Sequence, residues 1–166
     1  MGVTQVDFLD EVDGAVVYSL DLRRQLARVM RQVRPDLVVT GHFGLAWGPG
    51  PGGSANQADH RAVGLATLDA ARDAGNRWIF PELLDEGLEP HHVRWVAVSG
   101  TPTPSHAIVI DEADLKAGIA SLEAHARYLA GLSSPTDVRA FLTELAEGAG
   151  VAADSRYAVV VELFET

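Results

Sequence analysis

The stretch that most restricts the architecture is Leu37-Val38-Val39-Thr40, an unbroken apolar run between an amphipathic segment and a long loop dense in glycine and proline. A run of this kind reads as a strand buried on both faces of a parallel sheet. Before it, Leu22, Leu26, Val29, Met30 and Val33 recur at helical spacing, with Arg23, Arg24, Arg28 and Arg31 largely on other faces. Ser19 is placed to cap that helix and Pro35 to close it. After the run, residues 41–54 hold too much glycine and proline for regular structure and form a long loop. Residues 59–74 then carry Val63, Ala66, Leu68 and Ala70 among other small residues, the pattern of a helix packed closely on a sheet, ended by Gly75. Helix, strand, loop and helix in this order make most of a β-α-β unit.

The rest of the chain continues the alternation. Residues 3–9 read as a short strand before the acidic turn Asp10-Glu11-Val12-Asp13-Gly14. Further strands are predicted at 78–80, 93–99, 107–110 and 157–164. A helix opens at Asp111 with Leu115, Ile119, Leu122, Ala126 and Leu129 on its buried face. Another opens at Ser134-Pro135 with Val138, Phe141, Leu142 and Leu145 inward. The pattern implies an α/β sandwich, and 166 residues suit one domain spanning 1–166. In such sheets ligands gather at the carboxyl ends of the strands, where the 41–54 loop begins.

Composition narrows the partners. With 13 basic and 23 acidic residues the formal charge is −10, which disfavours nucleic acid and anionic membrane surfaces and leaves small molecules as the expected ligands. There is no cysteine, so disulfides, zinc ribbons and thiol nucleophiles are excluded, and any metal must sit on His, Asp or Glu. No signal-like N-terminus or membrane-length apolar run is present, and the expected location is cytoplasmic.

The chemistry-bearing run is Asn56-Gln57-Ala58-Asp59-His60-Arg61-Ala62-Val63-Gly64, where the loop enters a helix. His60 there suits a borderline-soft ion such as zinc, although a catalytic zinc takes three protein ligands; the plainer reading is a helix start with Asp59 favoured by the dipole. His42 directly follows the apolar strand and is either a ligand or a loop histidine. Asp13 could bind a polyol or simply turn the chain with Gly14. His125 reads as a half-buried structural histidine, Lys116 as solvated or salt-bridged, and His91-His92 as an unspecific loop pair. Trp47, Trp78 and Trp95 read as packing residues, with Trp47 of interest because it lies in the long loop. Gly48-Pro49-Gly50-Pro51-Gly52-Gly53 lacks the Lys-Ser/Thr of a phosphate loop and reads as flexible.

Taken in order, these pieces resemble the LmbE-like, or PIG-L, family of zinc-dependent N-deacetylases, which includes N-acetylglucosaminyl-phosphatidylinositol de-N-acetylases. Residues 2–14 are similar to the family's strand and Asp-Gly turn, and Val33-Arg34-Pro35-Asp36-Leu37-Val38-Val39 to its "R-x-x-R-P-D-V-V". Ala58-Asp59-His60-Arg61-Ala62-Val63-Gly64 is similar to "H-P-D-H-R-A-x-G", and Ile110-Asp111 through Lys116 to Glu123-Ala124-His125 to the family's "D-I-(x)-K-x-x-A-(x)-H" helix.

The resemblance implies a Rossmann-like three-layer sandwich with a mostly parallel sheet. It implies zinc held by His60, with Asp59 orienting the polar side chain before it and Asp13 and His125 in the substrate pocket. The expected reaction is removal of an acetyl group from an N-acetylglucosamine-type sugar or conjugate. The family's first histidine of H-P-D-H is replaced by Gln57 here, or its role shifts to Asn56; either amide can donate to an oxyanion, but neither can exchange a proton near neutral pH. The family's "A-H-P-D-D" segment, whose His and second Asp complete the zinc shell and whose first Asp is the general base, has no counterpart in this sequence. The expectation is therefore an N-terminally truncated domain, inactive alone, with an unpaired sheet edge that favours a homo-oligomer. The alternative is a non-catalytic binding or assembly domain that kept the fold.

Overall fold

The computed structural model describes residues 3–48, 53–132, 134 and 136–166. Helix α1 (Leu20–Val33) starts as expected: the Ser19 side chain accepts from the Leu22 amide, and the helix stops where Arg34 turns left-handed. Strand β1 (Leu37–Gly41) leads into the loop, and α2 (Ala58–Gly75) leaves it. A short α3 (Glu82–Asp85) precedes β2 (Trp95–Ser99). Then come β3 (His106–Val109), α4 (Glu112–Glu123), α5 (Ala126–Gly131), α6 (Val138–Ala152) and β4 (Ala158–Glu165).

The strands lie in the order β1-β2-β4-β3. β1 and β2 are parallel, with Leu37 opposite Trp95 and Gly41 opposite Ser99, whereas β2 and β4 are antiparallel. The sheet is thus mixed rather than mostly parallel. The α2 crossover makes the first pairing parallel, and the closing strand returns in the opposite sense.

The described chain falls into two compact units, one of Phe8–Ser105 with Val161–Thr166 and the other built mainly from His106–Val160. The core of the first unit joins α1, α2 and β2 through Ala27, Met30, Ala70, Ala71, Ala74, Leu83, Val93 and Val96. Alanines dominate the α2 contribution, so that helix sits close to its neighbours, and Gly64 carries this furthest. A Cβ at Gly64 would stand 2.7 Å from Phe43 Cβ and 2.8 Å from the Gly41 carbonyl oxygen, below normal contact. In the second unit Leu115, Ile119, Val138, Ala146 and Tyr157 form the core.

Several expectations are corrected. Residues 3–9 and 78–80 are not strands: neither finds a ladder partner, and alternation without pairing does not make a strand. β1 is an edge, with Leu37 and Val39 exposed, so its apolar run is not buried on both faces. Val33 and Val63 are exposed, and Arg31, expected off the buried face, is 2% exposed. Its guanidinium donates to the carbonyls of Ala74 (3.1 Å), Leu88 (3.3 Å), Asp73 (3.4 Å), Asn76 (2.9 Å) and Ile79 (3.2 Å). Arg23 adds a bidentate pair with Asp73, both bonds 2.9 Å. The helix opened by Asp111 is broken at Ala124-His125 into α4 and α5. α6 is capped by Asp137 and leaves Phe141 and Leu145 exposed; Pro135, expected to open it, lies outside the described residues. Trp78 is exposed rather than packed. Among the described residues no helix is long and apolar enough to cross a membrane.

Candidate functional site

The parallel strands β1 and β2 end at Gly41 and Ser99. At this edge the chain leaves β1 through His42, and the N-terminus of α2 comes back beside it. The neck of the loop is closed by an Ala46–Ala55 bridge, with the Trp47 amide donating to the Ser54 carbonyl at 2.8 Å and the Asn56 amide to Leu45 at 2.9 Å. The base of a segment expected to be flexible is therefore fastened; residues 49–52 lie outside the described residues.

Asn56 stands at the junction of loop and helix and is 2% exposed. Its side-chain nitrogen donates to the carbonyls of His42 (2.8 Å) and Gly44 (3.0 Å), and its side-chain oxygen lies 3.1 Å from His60 Nδ1. Its own carbonyl accepts from Arg61. His42 is buried, with Nε2 3.1 Å from the Ala46 carbonyl. Trp47 lies between the two imidazoles, 5.3 Å from the His42 ring and edge-on to His60 at 5.9 Å. Gly100, just past β2, has φ +74° and would place a Cβ 3.0 Å from the Trp47 ring, so this position calls for glycine on two counts. Trp47 is thus a wall of the site.

The two carboxylate oxygens of Asp59 accept from the amides of Gly14 (2.6 Å) and Val16 (3.1 Å), so it fastens the Asp13-Gly14 turn to the start of α2. Asp13 itself is exposed at that turn. Gln57 is the N-cap of α2, exposed, with no capping bond from its side chain. The sequence-predicted Asp13, Gln57, Asp59 and His60 thus gather around one helix N-terminus.

His125 belongs to the other unit. It is exposed rather than half-buried, and its Nδ1 bonds the Ser121 carbonyl at 2.9 Å where the helix breaks. Lys116 pairs with Glu112 at 2.9 Å. His91 is not idle: its Nε2 reaches the Pro35 carbonyl at 2.8 Å. Sequence reasoning raised Asn56 only as an alternative to Gln57 and missed its bond to His60, whose local signal is an asparagine four residues before a histidine, one helical turn away.

As a metal centre the arrangement is partial. One nitrogen of His60 is engaged by Asn56 and the other suits an ion, in the manner of a ligand histidine oriented from behind. Among the described residues, however, no group of three or more His, Cys, Asp or Glu could hold a metal. His60 is thus the one imidazole at the start of α2 with a ring nitrogen free of Asn56.

The fold is one that sugar deacetylases use. The chain superposes on N,N'-diacetylchitobiose deacetylase from Pyrococcus horikoshii, solved with its inhibitor, with a TM-score of 0.80, 21% identity, and coverage of 99% of this chain and 58% of that one. A conserved protein from Thermus thermophilus gives 0.69 at 22% identity, covering 92% and 62%. The fold is not confined to deacetylation, because a 4-carboxy-2-hydroxymuconate hydratase from Pseudomonas putida also matches, at 0.59 and 17% identity over 89% and 60%. In sequence, the chain is similar to diacetylchitobiose deacetylase of Thermococcus kodakarensis, 28% identical over 112 residues. That match takes in 68% of this chain but only 39% of the relative, so the chain corresponds to much less than the relative's whole length. No family model matches.

Proposed function

We propose that this chain belongs to a zinc-dependent deacetylase that removes acetyl groups from N-acetylglucosamine-type sugars or their conjugates, and that it supplies one wall of the active site. The observation that carries the reading is the α2 N-terminus. There His60, backed by Asn56 and flanked by Trp47, sits on a fold and a sequence similar to diacetylchitobiose deacetylases. His60 is one metal ligand, and among the described residues no group of three or more His, Cys, Asp or Glu completes its shell. When bound, zinc supplies Lewis-acid activation of water toward the acetamide carbonyl.

The chain's own residues have supporting parts. Gln57, at the N-terminal end of a helix, offers an amide N–H to the developing oxyanion, beside backbone N–H groups carrying the positive end of the helix dipole. Asp59 holds the turn that presents Asp13, whose exposed carboxylate accepts from sugar hydroxyls. Trp47 gives an apolar face to a pyranose ring. Hydrolysis adds water across the amide: the C–N bond breaks, the acyl carbon leaves as acetate, and the nitrogen takes up a proton to become the free amine.

The test is acetate release from N,N'-diacetylchitobiose, with zinc content by metal analysis, measured on the whole encoded protein and on His60→Ala. Loss of both in the variant is expected; a variant that retains its zinc and its activity refutes the assignment. The absence of a three-ligand cluster among the described residues favours a second reading, a non-catalytic domain that kept the fold. Saturable chitobiose binding without zinc or acetate release would establish that one.

A further inference from the structure

We propose that Asn56 is a positioning residue that fixes the His60 imidazole as its Nδ1–H tautomer, leaving Nε2 as the bare lone pair. The argument begins with the asparagine. Its side-chain nitrogen lies against two carbonyl oxygens, those of His42 at 2.8 Å and Gly44 at 3.0 Å, and both can only accept. Reversing the amide would set oxygen against oxygen twice, so its orientation is dictated by its partners. The side-chain oxygen then faces His60 Nδ1 at 3.1 Å and can only accept in turn. Nδ1 must therefore carry the hydrogen. A neutral imidazole has one N–H, so Nε2 has none.

Asn56 is well held for this task. Its backbone N–H is bonded to Leu45, its carbonyl accepts from Arg61, and its side chain is nearly inaccessible. The same rule assigns other rings and thereby supplies controls. His42 and His91 donate from Nε2 to the carbonyls of Ala46 and Pro35, so in both it is Nδ1 that stays bare. His125 donates from Nδ1 to Ser121 and shares the His60 tautomer without any asparagine. His42, just after β1, and His60, in the first turn of α2, thus present opposite nitrogens beside Trp47.

The use of that lone pair rests on reading His60 as a metal ligand, but the tautomer itself does not. For a ligand the consequence is that the donor atom is chosen before any ion arrives, as expected when the hydrogen bond of one ring nitrogen decides the other.

Long-range proton–nitrogen correlation spectra of the metal-free, ¹⁵N-labelled protein, at a pH where the rings are neutral, read the tautomers directly. The Nδ1–H form of His60 is expected to exceed the other by about tenfold, the ratio one net hydrogen bond of ~1.4 kcal/mol sustains. In Asn56→Ala that excess disappears while the His91 and His125 signals stay unchanged, which also reports that the variant is folded. A predominantly Nε2–H His60 in the unmodified protein overturns the inference, whatever the variant does, and so does an unaltered His60 pattern in folded Asn56→Ala. Failure of acetate release with the Nδ1–H form intact would count against the deacetylase reading alone.

Discussion

Arg31 offers the sharpest test of what holds α2 in place. All five of its acceptors are backbone carbonyls at or after the C-terminal end of α2, and burial pushes the guanidinium down from its usual pKa, against weaker support from Glu82, Glu89 and Asp73. Replacement by methionine keeps much of the apolar stem and removes the donors. Three carbonyls keep a backbone partner: His91 on Ala74, Asn76 on Asp73, and Ile79 on Asn76. Those of Leu88 and Ile79 do not, and each costs about 1–3 kcal/mol if it is left buried without a donor. Relief of burying a cation offsets part of this. The net expectation for Arg31→Met is a destabilisation of ~2–4 kcal/mol. It should appear in urea unfolding as a lower midpoint at unchanged slope. A loss under about 0.5 kcal/mol, the range of ordinary surface changes, would show that the carbonyls are satisfied by water and that the reasoning fails.

Gly64→Ala should lower the melting temperature, at a cost of about 1–3 kcal/mol, because the new methyl meets the Gly41 carbonyl oxygen, which belongs to a strand and cannot swing aside; a neutral result in thermal unfolding would mean that α2 shifts freely on β1. Tyr18 donates to Asp69 at 2.5 Å, and that bond, with smaller help from desolvation and the Asp69 charge, raises its pKa. A raised folded value means the contribution is complete below the ordinary tyrosine value of about 10 and is lost as pH climbs through the folded one. Tyr18→Phe should therefore flatten the alkaline limb of a melting-temperature profile, and an unchanged limb would rule the bond out as its source.

How much of this was legible in sequence depended on how local each determinant was. Ser19, Pro35 and Gly75 marked the ends of α1 and α2 within a residue or two, because caps and breakers act on their own turn. Leu37-Val38-Val39-Thr40 announced a strand but not its place at an edge, since the exposure of Val39 depends on which strands lie beside it. Arg31 looked solvent-facing because no helical periodicity reveals five carbonyls lying 42 to 57 residues further along the chain. At the site, His60 and Asp59 stood out as a motif. The work of Asn56 did not, because its partners His42 and Gly44 come from the far side of a long loop.

The fastened neck of that loop sets where diversity can accumulate. Closure at Ala46–Ala55 and Trp47–Ser54 fixes both ends of the chain that runs between them and calls for glycine at Gly48, with φ +85°, and at Gly53, where a Cβ would stand 2.2 Å from the Trp47 carbonyl oxygen. Doubling such a closed segment costs only about 0.6 kcal/mol in chain entropy. Length can therefore vary between those two glycines while the glycines themselves, and with them the imidazole of His60, stay in register.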